Sequence, residues 1–247
     1  TFDLPTMYGQ EYGYRSGLNA SMVKHLKGKA EKILKDVKLK SGDIVIDIAG
    51  NDGTFLGFFP EDCQLTSIDP TSEKFGKYFK PNVNYIADFF SESVFKKRFG
   101  KQKAKVITSF SMFYDLEDPC EFAKQVKECL SPDGIWVLEQ SYMPEMIRVN
   151  SFDTVCHEHL SYYGMRQLKY IMDKAGFNIV DFEFNDVNGG SISVVVSPSK
   201  PECTTKLTAL LSLELEEGLD TVKPWEEFAS RMTDNNHKFL KMVRDLR

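Results

Sequence analysis

Two aspartates and a glycine-bearing turn carry the first chemistry legible in this chain. Asp47 closes the apolar run Ile44-Val45-Ile46, and Ala49-Gly50-Asn51-Asp52-Gly53 follows before Thr54-Phe55-Leu56. Asp69 closes the next apolar run, Leu65-Thr66-Ser67-Ile68. Such a turn lets main chain approach a ligand, because Gly50 and Gly53 carry no Cβ and can adopt positive φ. Carboxylates at two successive strand ends suit a nucleoside with free ribose hydroxyls and a positive centre, and suit a polyphosphate poorly. The combination points to a pocket for S-adenosyl-L-methionine. In this reading Asp47, Ala49, Gly50, Asn51, Asp52 and Gly53 wrap the methionine part. Asp69, followed by Pro70, accepts from both ribose hydroxyls, as an ionised carboxylate can. Asp88 meets the adenine amino group with Phe89 and Phe90 against the ring, and Ser109 and Phe110 pass beneath the methyl.

Each of these features also has a plain structural use. Asp69-Pro70-Thr71-Ser72 reads equally as a helix cap, and Phe89 and Phe90 as ordinary core. What favours the pocket is their order at successive strand ends. A nicotinamide site would want G-x-G-x-x-G at the first turn, and a P-loop a Gly-Lys-Ser/Thr; neither is present there.

A second constellation, Cys156-His157-Glu158-His159-Leu160-Ser161-Tyr162-Tyr163, follows the fifth strand candidate, where it can close over the strand ends. A histidine beside an acid can abstract a proton near neutral pH. Transfer of a methyl group to carbon next to a ketone needs such a base, because the enolate must form first. His159 is the expected base, with Glu158 beside it. His157 and His159 also read as a surface turn or as a zinc pair, but no cysteine or histidine cluster elsewhere completes a ligand set, so no metal is expected.

The elements that position these groups follow from periodicity. Strands are expected at 44–49, 64–69, 83–88, 105–110 and 134–140, alternating with helices near 52–59, 72–79, 91–98 and 119–130. That alternation implies right-handed crossovers and a parallel sheet. Residues 142–165 read as irregular, 166–175 as a helix, and 178–186 and 191–197 as a hairpin turned by Val187-Asn188-Gly189-Gly190. The expected fold is α/β: a class I methyltransferase-like, Rossmann-like, mostly parallel seven-stranded sheet ending in an antiparallel hairpin. Residues 1–40 are expected to form a Tyr/Gly-rich arm (1–17) and a helix (18–37), 41–200 the cofactor-binding core, and 201–247 two helices, 204–217 and 222–246.

Composition narrows the partners. The 247 residues carry a formal net charge of −5, so a dominant basic footprint for nucleic acid is missing. No apolar run approaches the roughly 20 residues that span a bilayer. The five scattered cysteines form no C-x-x-C pair and fit a reducing cytoplasm. A small-molecule substrate is expected.

Together, Gln10-Glu11-Tyr12-Gly13-Tyr14-Arg15-Ser16-Gly17, Asp47–Gly53, His157–Tyr163 and Gly189-Gly190-Ser191 resemble the sugar C-methyltransferases of deoxysugar biosynthesis, from about Tyr8 to Arg247. The resemblance implies a nucleotide-linked 4-keto-6-deoxyhexose as acceptor, deprotonated beside its ketone and methylated on carbon. It implies His159 as base, Glu158 contacting the sugar, Tyr14 near the reacting carbon, and Tyr12 and Tyr162 on the substrate side. This chain departs from the family's usual Gly-Ser-Asn-Asp-Gly turn at Ala49-Gly50. It has Cys156 where some members have Tyr, and Asn188 where some have His. Members usually carry a cysteine-paired zinc domain before this region and a further α/β domain after it, so the chain is expected to be part of a longer protein. The competing readings are methylation of oxygen or nitrogen on another small or carrier-bound molecule, and a non-catalytic cofactor-binding module.

Overall fold

The structure is a computed structural model that describes residues 4–8 and 12–246. Gln10 and Glu11 of the arm motif lie outside the described residues. Seven strands form one sheet in the order β3-β2-β1-β4-β5-β7-β6. They are β1 Ile44–Ile48, β2 Gln64–Ile68, β3 Val83–Ile86, β4 Ala104–Phe110, β5 Leu130–Ser141, β6 Asn178–Asn185 and β7 Ser191–Ser197. The first five pair in parallel, and β7 runs antiparallel to both β5 and β6. The expected sheet is therefore the one observed.

Neighbouring residues of a strand point to opposite faces, and both faces of the central strands are buried. On one face Val45, Leu65, Val106 and Val137 pack under α2 (Ala20–Asp36), which contributes Leu26, Ala30 and Ile33. On the other, Ile44, Ile46, Ile107, Trp136 and Leu138 meet α4 (Glu92–Phe99), α5 (Pro119–Cys129) and α7 (Met165–Ala175) through Phe95, Ala123, Val126, Leu168 and Met172. Asn19 starts α2, its side chain accepting from the amides of Ser21 and Met22. Polar contacts then tie α2 to the far strands: His25 Nε2 and Lys29 Nζ approach the buried Glu139 at 2.5 and 2.6 Å, and Lys29 reaches Glu183 at 2.7 Å. Burial opposes ionisation of Glu139, but His25 and Lys29 outweigh it and hold its carboxyl below its ordinary range.

Three stretches differ from the sequence reading. The helix expected at 52–59 is a series of turns with one 3-10 turn, Leu56–Phe58. Gly53 sits at φ 73°, where it stops a helix, and a β-carbon there would meet the Phe79 ring at 2.6 Å, so packing requires glycine at this position. The 72–79 helix breaks into α3 (Ser72–Phe75) and a 3-10 turn, Gly76–Tyr78. Within 142–165, Met143–Val149 forms helix α6, with Pro144 in its first turn and Asn150 closing it in the left-handed region. Its apolar residues Met143, Met146 and Ile147 pack on Phe228 of α9 (Lys223–Asp245), a partner that the local sequence does not announce. The N-terminal arm also contains a short helix, α1 (Leu4–Tyr8).

Glu214 of α8 (Thr204–Glu216) is buried and caps α7 from a distance. It accepts from the Tyr142 hydroxyl and Met165 amide at 2.6 Å each, and from the Arg166 amide at 3.1 Å. Among the described residues no helix is long and apolar enough to cross a membrane.

Candidate active site

A cavity of about 360 Å³ opens outside the carboxyl ends of β1, β2 and β4, within the usual ~300–1,000 Å³ range for small ligands. Asp47, Ala49, Gly50, Asn51, Asp69, Pro70, Phe89 and Phe110 line it, as do Tyr12 and Tyr14 of the arm. Asp52, Gly53, Asp88 and Ser109 are not among its lining residues.

The backbone around the cavity is unusual. Ala49 (φ 57°), Asn51 (φ 53°) and Ser111 (φ 53°) all adopt the left-handed region and all line the cavity. Gly50, expected to need positive φ, does not adopt it; it is required by close approach. A β-carbon at Gly50 would lie 2.6 Å from Ser67 Oγ and 2.8 Å from Asp47 Oδ2. Left-handed non-glycine residues persist where surrounding contacts over-determine them, often at ligand sites.

The acidic groups divide into those facing the cavity and those bracing it. Thr108 Oγ1 donates to Asp47 Oδ1 at 2.7 Å, yet burial, with the charge of Asp69 adding to it, pushes the Asp47 carboxyl up to about 7. Asp69 accepts from the Asn51 amide at 2.9 Å on one oxygen, and from the Thr71 amide and hydroxyl at 2.6 Å each on the other. The loop-bracing use of Asp69 is therefore real, while Oδ2, with one donor, keeps a lone pair for a hydroxyl. Asp52 serves the arm: it accepts from the Gly17 amide at 3.0 Å and pairs with Arg15 at 3.2 Å. Asn51 completes this latch, accepting from the Ser16 amide and donating to the Tyr14 carbonyl, both at 3.0 Å. Arg15 also stacks over Tyr78 at 3.6 Å. Asp88 is exposed and accepts from the Phe89 amide at 2.8 Å. Ser109 is buried and accepts from Trp136 Nε1 at 3.0 Å.

The histidine segment lies against the same rim. The His159 ring packs against Tyr114, tilted by 47° with centroids 4.0 Å apart, and the amides of Leu160 and Ser161 donate to the Tyr114 carbonyl. Tyr114 is flanked by Asp115, and both Ser111 and Asp115 line the cavity. His159 itself is not a lining residue. Its Nδ1 lies 2.8 Å from the Thr154 carbonyl, which can only accept, so Nδ1 carries the proton and Nε2 the lone pair. Burial lowers the His159 pKa from 6.5, against the opposing effects of Thr154 and Glu158, so the ring is neutral at pH 7. A backbone hydrogen bond, then Cys156 and the adjacent imidazoles, hold the Glu158 carboxyl below its ordinary range. Tyr162 lies beside His159, ring centroids 6.4 Å apart, and against Trp225 at 6.1 Å. Burial first, then Tyr14, Asp115, Asp69 and Glu158, push Tyr12 up to about 12. Through Tyr114 and the cavity-lining Asp115, the His159 segment meets the rim on which Asp69 and Tyr12 lie.

No sequence pattern marks Tyr8, Tyr114, Asp115 or Thr154 as site residues. Asp115 follows Phe113-Tyr114 beyond the end of β4, with neither a glycine turn nor a strand terminus to mark it.

A family model described as a methyltransferase domain matches residues 22–181. The chain belongs to the methyltransferases. A second model, the C-methyltransferase C-terminal domain, matches residues 186–247 of this methyltransferase. Its sequence is 27% identical over 231 residues to the C-methyltransferase NovU of Streptomyces niveus, covering 91% of this chain and 54% of the relative. The chain thus spans about half the length of that curated protein. Among solved structures, an S-adenosylmethionine-dependent methyltransferase from Clostridium acetobutylicum matches with a TM-score of 0.53 at 12% identity, over 72% of this chain and 92% of that one. The plantazolicin methyltransferase BpumL, solved with SAH, matches with a TM-score of 0.52 at 13% identity, over 72% and 84%. These two establish the fold.

S-adenosyl-L-methionine is the cofactor of such a methyltransferase, and the residues present fit it. Acidic Asp47 and Asp69 offer acceptors toward a cationic, hydroxylated ligand, the Gly50 cradle would be filled by a β-carbon, and Phe89, Phe90 and Ile48 supply an apolar wall for a base.

Proposed function

We propose that this methyltransferase methylates a carbon next to a ketone, on a nucleotide-linked keto-deoxysugar, with His159 as the base. The observation that carries the reading is the Nδ1 hydrogen bond to the Thr154 carbonyl, which leaves Nε2 unprotonated and free to take a proton. A methyl acceptor that is already nucleophilic needs no such base. When bound, the cofactor supplies an electrophilic methyl group on its sulfonium. Glu158, beside the base, contacts the sugar. Tyr12, Tyr14 and Tyr162 form the acceptor's wall; Tyr14 is suited to this role because it lines the cavity while 44% exposed. Residues 1–40 act as the acceptor-side cover, 41–200 as the cofactor core, and 201–247 as a helical buttress that reaches α6. The similarity to a C-methyltransferase over 91% of the chain supports carbon as the methylated atom.

His159→Gln tests the base. Cofactor affinity by calorimetry stays at the wild-type level, while turnover falls about 10²–10⁴-fold, the usual contribution of a general base. Deuterium uptake at the acceptor carbon in D₂O, without cofactor, disappears with it. A variant that turned over normally would remove His159 from the mechanism.

A further inference from the structure

An enolate needs a partner for its oxygen as well as a base for its proton. We infer that Asp115 is that partner, donating a hydrogen bond from its unoccupied carboxyl oxygen to the acceptor's carbonyl oxygen. The inference rests on the enolate reading above. Asp115 lines the cavity but is only 4% exposed, and its Oδ1 is buried without any hydrogen-bond partner. Of the described residues with a buried polar atom left without a hydrogen-bond partner (Arg15, Asp115, Gln140, Ser141 and Tyr163), Asp115 alone lines the cavity, and such an atom calls for a ligand or water. Asp115 lies in the turn Phe113–Asp115, directly after Tyr114, against which His159 packs.

The groups facing it come from three segments. Tyr8 of the arm favours its ionised form through a hydrogen bond, Glu158 repels that form, and Tyr12 and Tyr114 complete the surroundings. Burial dominates, and the carboxyl is pushed up to about 7. Below that pH Asp115 carries a proton and can donate; above it, the carboxylate can only accept. Enolisation then balances as follows. The C–H bond beside the ketone breaks, and its proton goes to His159 Nε2. The electron pair forms the C=C bond, and the carbonyl π pair moves to oxygen, which accepts the Asp115 hydrogen. The reverse sequence returns the ketone, with a solvent-derived hydrogen on carbon.

The test is deuterium uptake from D₂O by dTDP-4-keto-6-deoxyglucose, without cofactor, read by mass spectrometry for wild type, Asp115→Leu and Asp115→Asn. Removing an oxyanion donor costs about 10²–10³-fold, so Asp115→Leu exchanges about 100-fold more slowly or worse. Asp115→Asn keeps an amide donor and an intermediate rate. It loses the fall in rate above about pH 7 that wild type shows as Asp115 ionises, and keeps the acid limb that belongs to His159. Cofactor affinity by calorimetry stays within about threefold in both variants. Variants that exchange as fast as an active wild type overturn this inference alone, as does a loss of exchange that merely tracks lost cofactor affinity. A wild type that never exchanges the probe overturns the enolate reading and the role of Asp115 with it.

Discussion

Ala49 occupies φ 57°, a conformation that a β-carbon opposes by about 1–2 kcal/mol in an L-residue. It holds because the Ala49 amide donates to the Ile68 carbonyl at 2.9 Å and the next residue, Gly50, is wedged against Ser67 and Asp47. Ala49→Gly removes the steric cost and adds back some chain entropy in the unfolded state. The variant is expected to gain about 0.5–1 kcal/mol, a rise of roughly 1–4 °C in melting temperature for a chain of this size. A melting point that fell would mean that the alanine methyl makes contacts worth more than the strain. The same scale explains His159. A single carbonyl, Thr154, sets its tautomer, and a base is defined by which nitrogen is free.

Elements here are held by side chains that reach across the chain. The arm is fastened to the first turn by Asn51, Asp52 and Arg15, so the tyrosines over the cavity and the loop beneath it are one mechanical unit. Helix α7 is capped by Glu214, 49 residues away from Met165. Glu214→Ala would leave the Met165 amide and the Tyr142 hydroxyl buried without an acceptor, each costing about 1–3 kcal/mol. The expected loss of about 2–5 kcal/mol is read from the midpoint of urea unfolding, with Glu214→Gln retaining part of it. An unchanged midpoint for Glu214→Ala would show that the two donors find other partners. Because α7 follows directly on the His159 segment, this cap also sets where that segment ends.

For the whole molecule, two buried carboxyls at the cavity set a pH dependence. Asp47 and Asp115 have folded pKa values raised to about 7 from 3.8, so between those values the folded state binds more protons than the unfolded chain. Stability from these groups is greatest below pH 3.8 and declines as pH rises toward 7. The carboxyls held low (Glu139, Asp181, Glu183) act oppositely, losing stability as pH falls through their lowered values, below about pH 4.5. His159, lowered from 6.5, opposes the trend modestly near that pH. Unfolding of the ligand-free protein is therefore expected to require less urea at pH 7.5 than at pH 5. Asp47→Asn with Asp115→Asn should flatten that slope; an equal slope in the double variant would locate the linkage elsewhere.

The order of apolar runs and turns was enough to determine the sheet, because strands alternating with helices pair in parallel through right-handed crossovers, and a short turn between two strands makes a hairpin. It also placed Asp47, Ala49, Gly50 and Asn51 at the cavity, since residues that end a strand in such a sheet reach its carboxyl rim. The apolar spacing at 52–59 is local and suggests a helix, whereas Phe79, whose ring leaves room only for glycine at 53, is remote in sequence. Likewise α6 is stabilised by Phe228, far along the chain. Tertiary structure alone decided that Asp52 latches the arm, that Thr154 orients His159, and that Asp115 keeps an unpaired oxygen at the cavity. Residue type tells what a group can donate or accept; only the folded chain tells which of those valences are already taken.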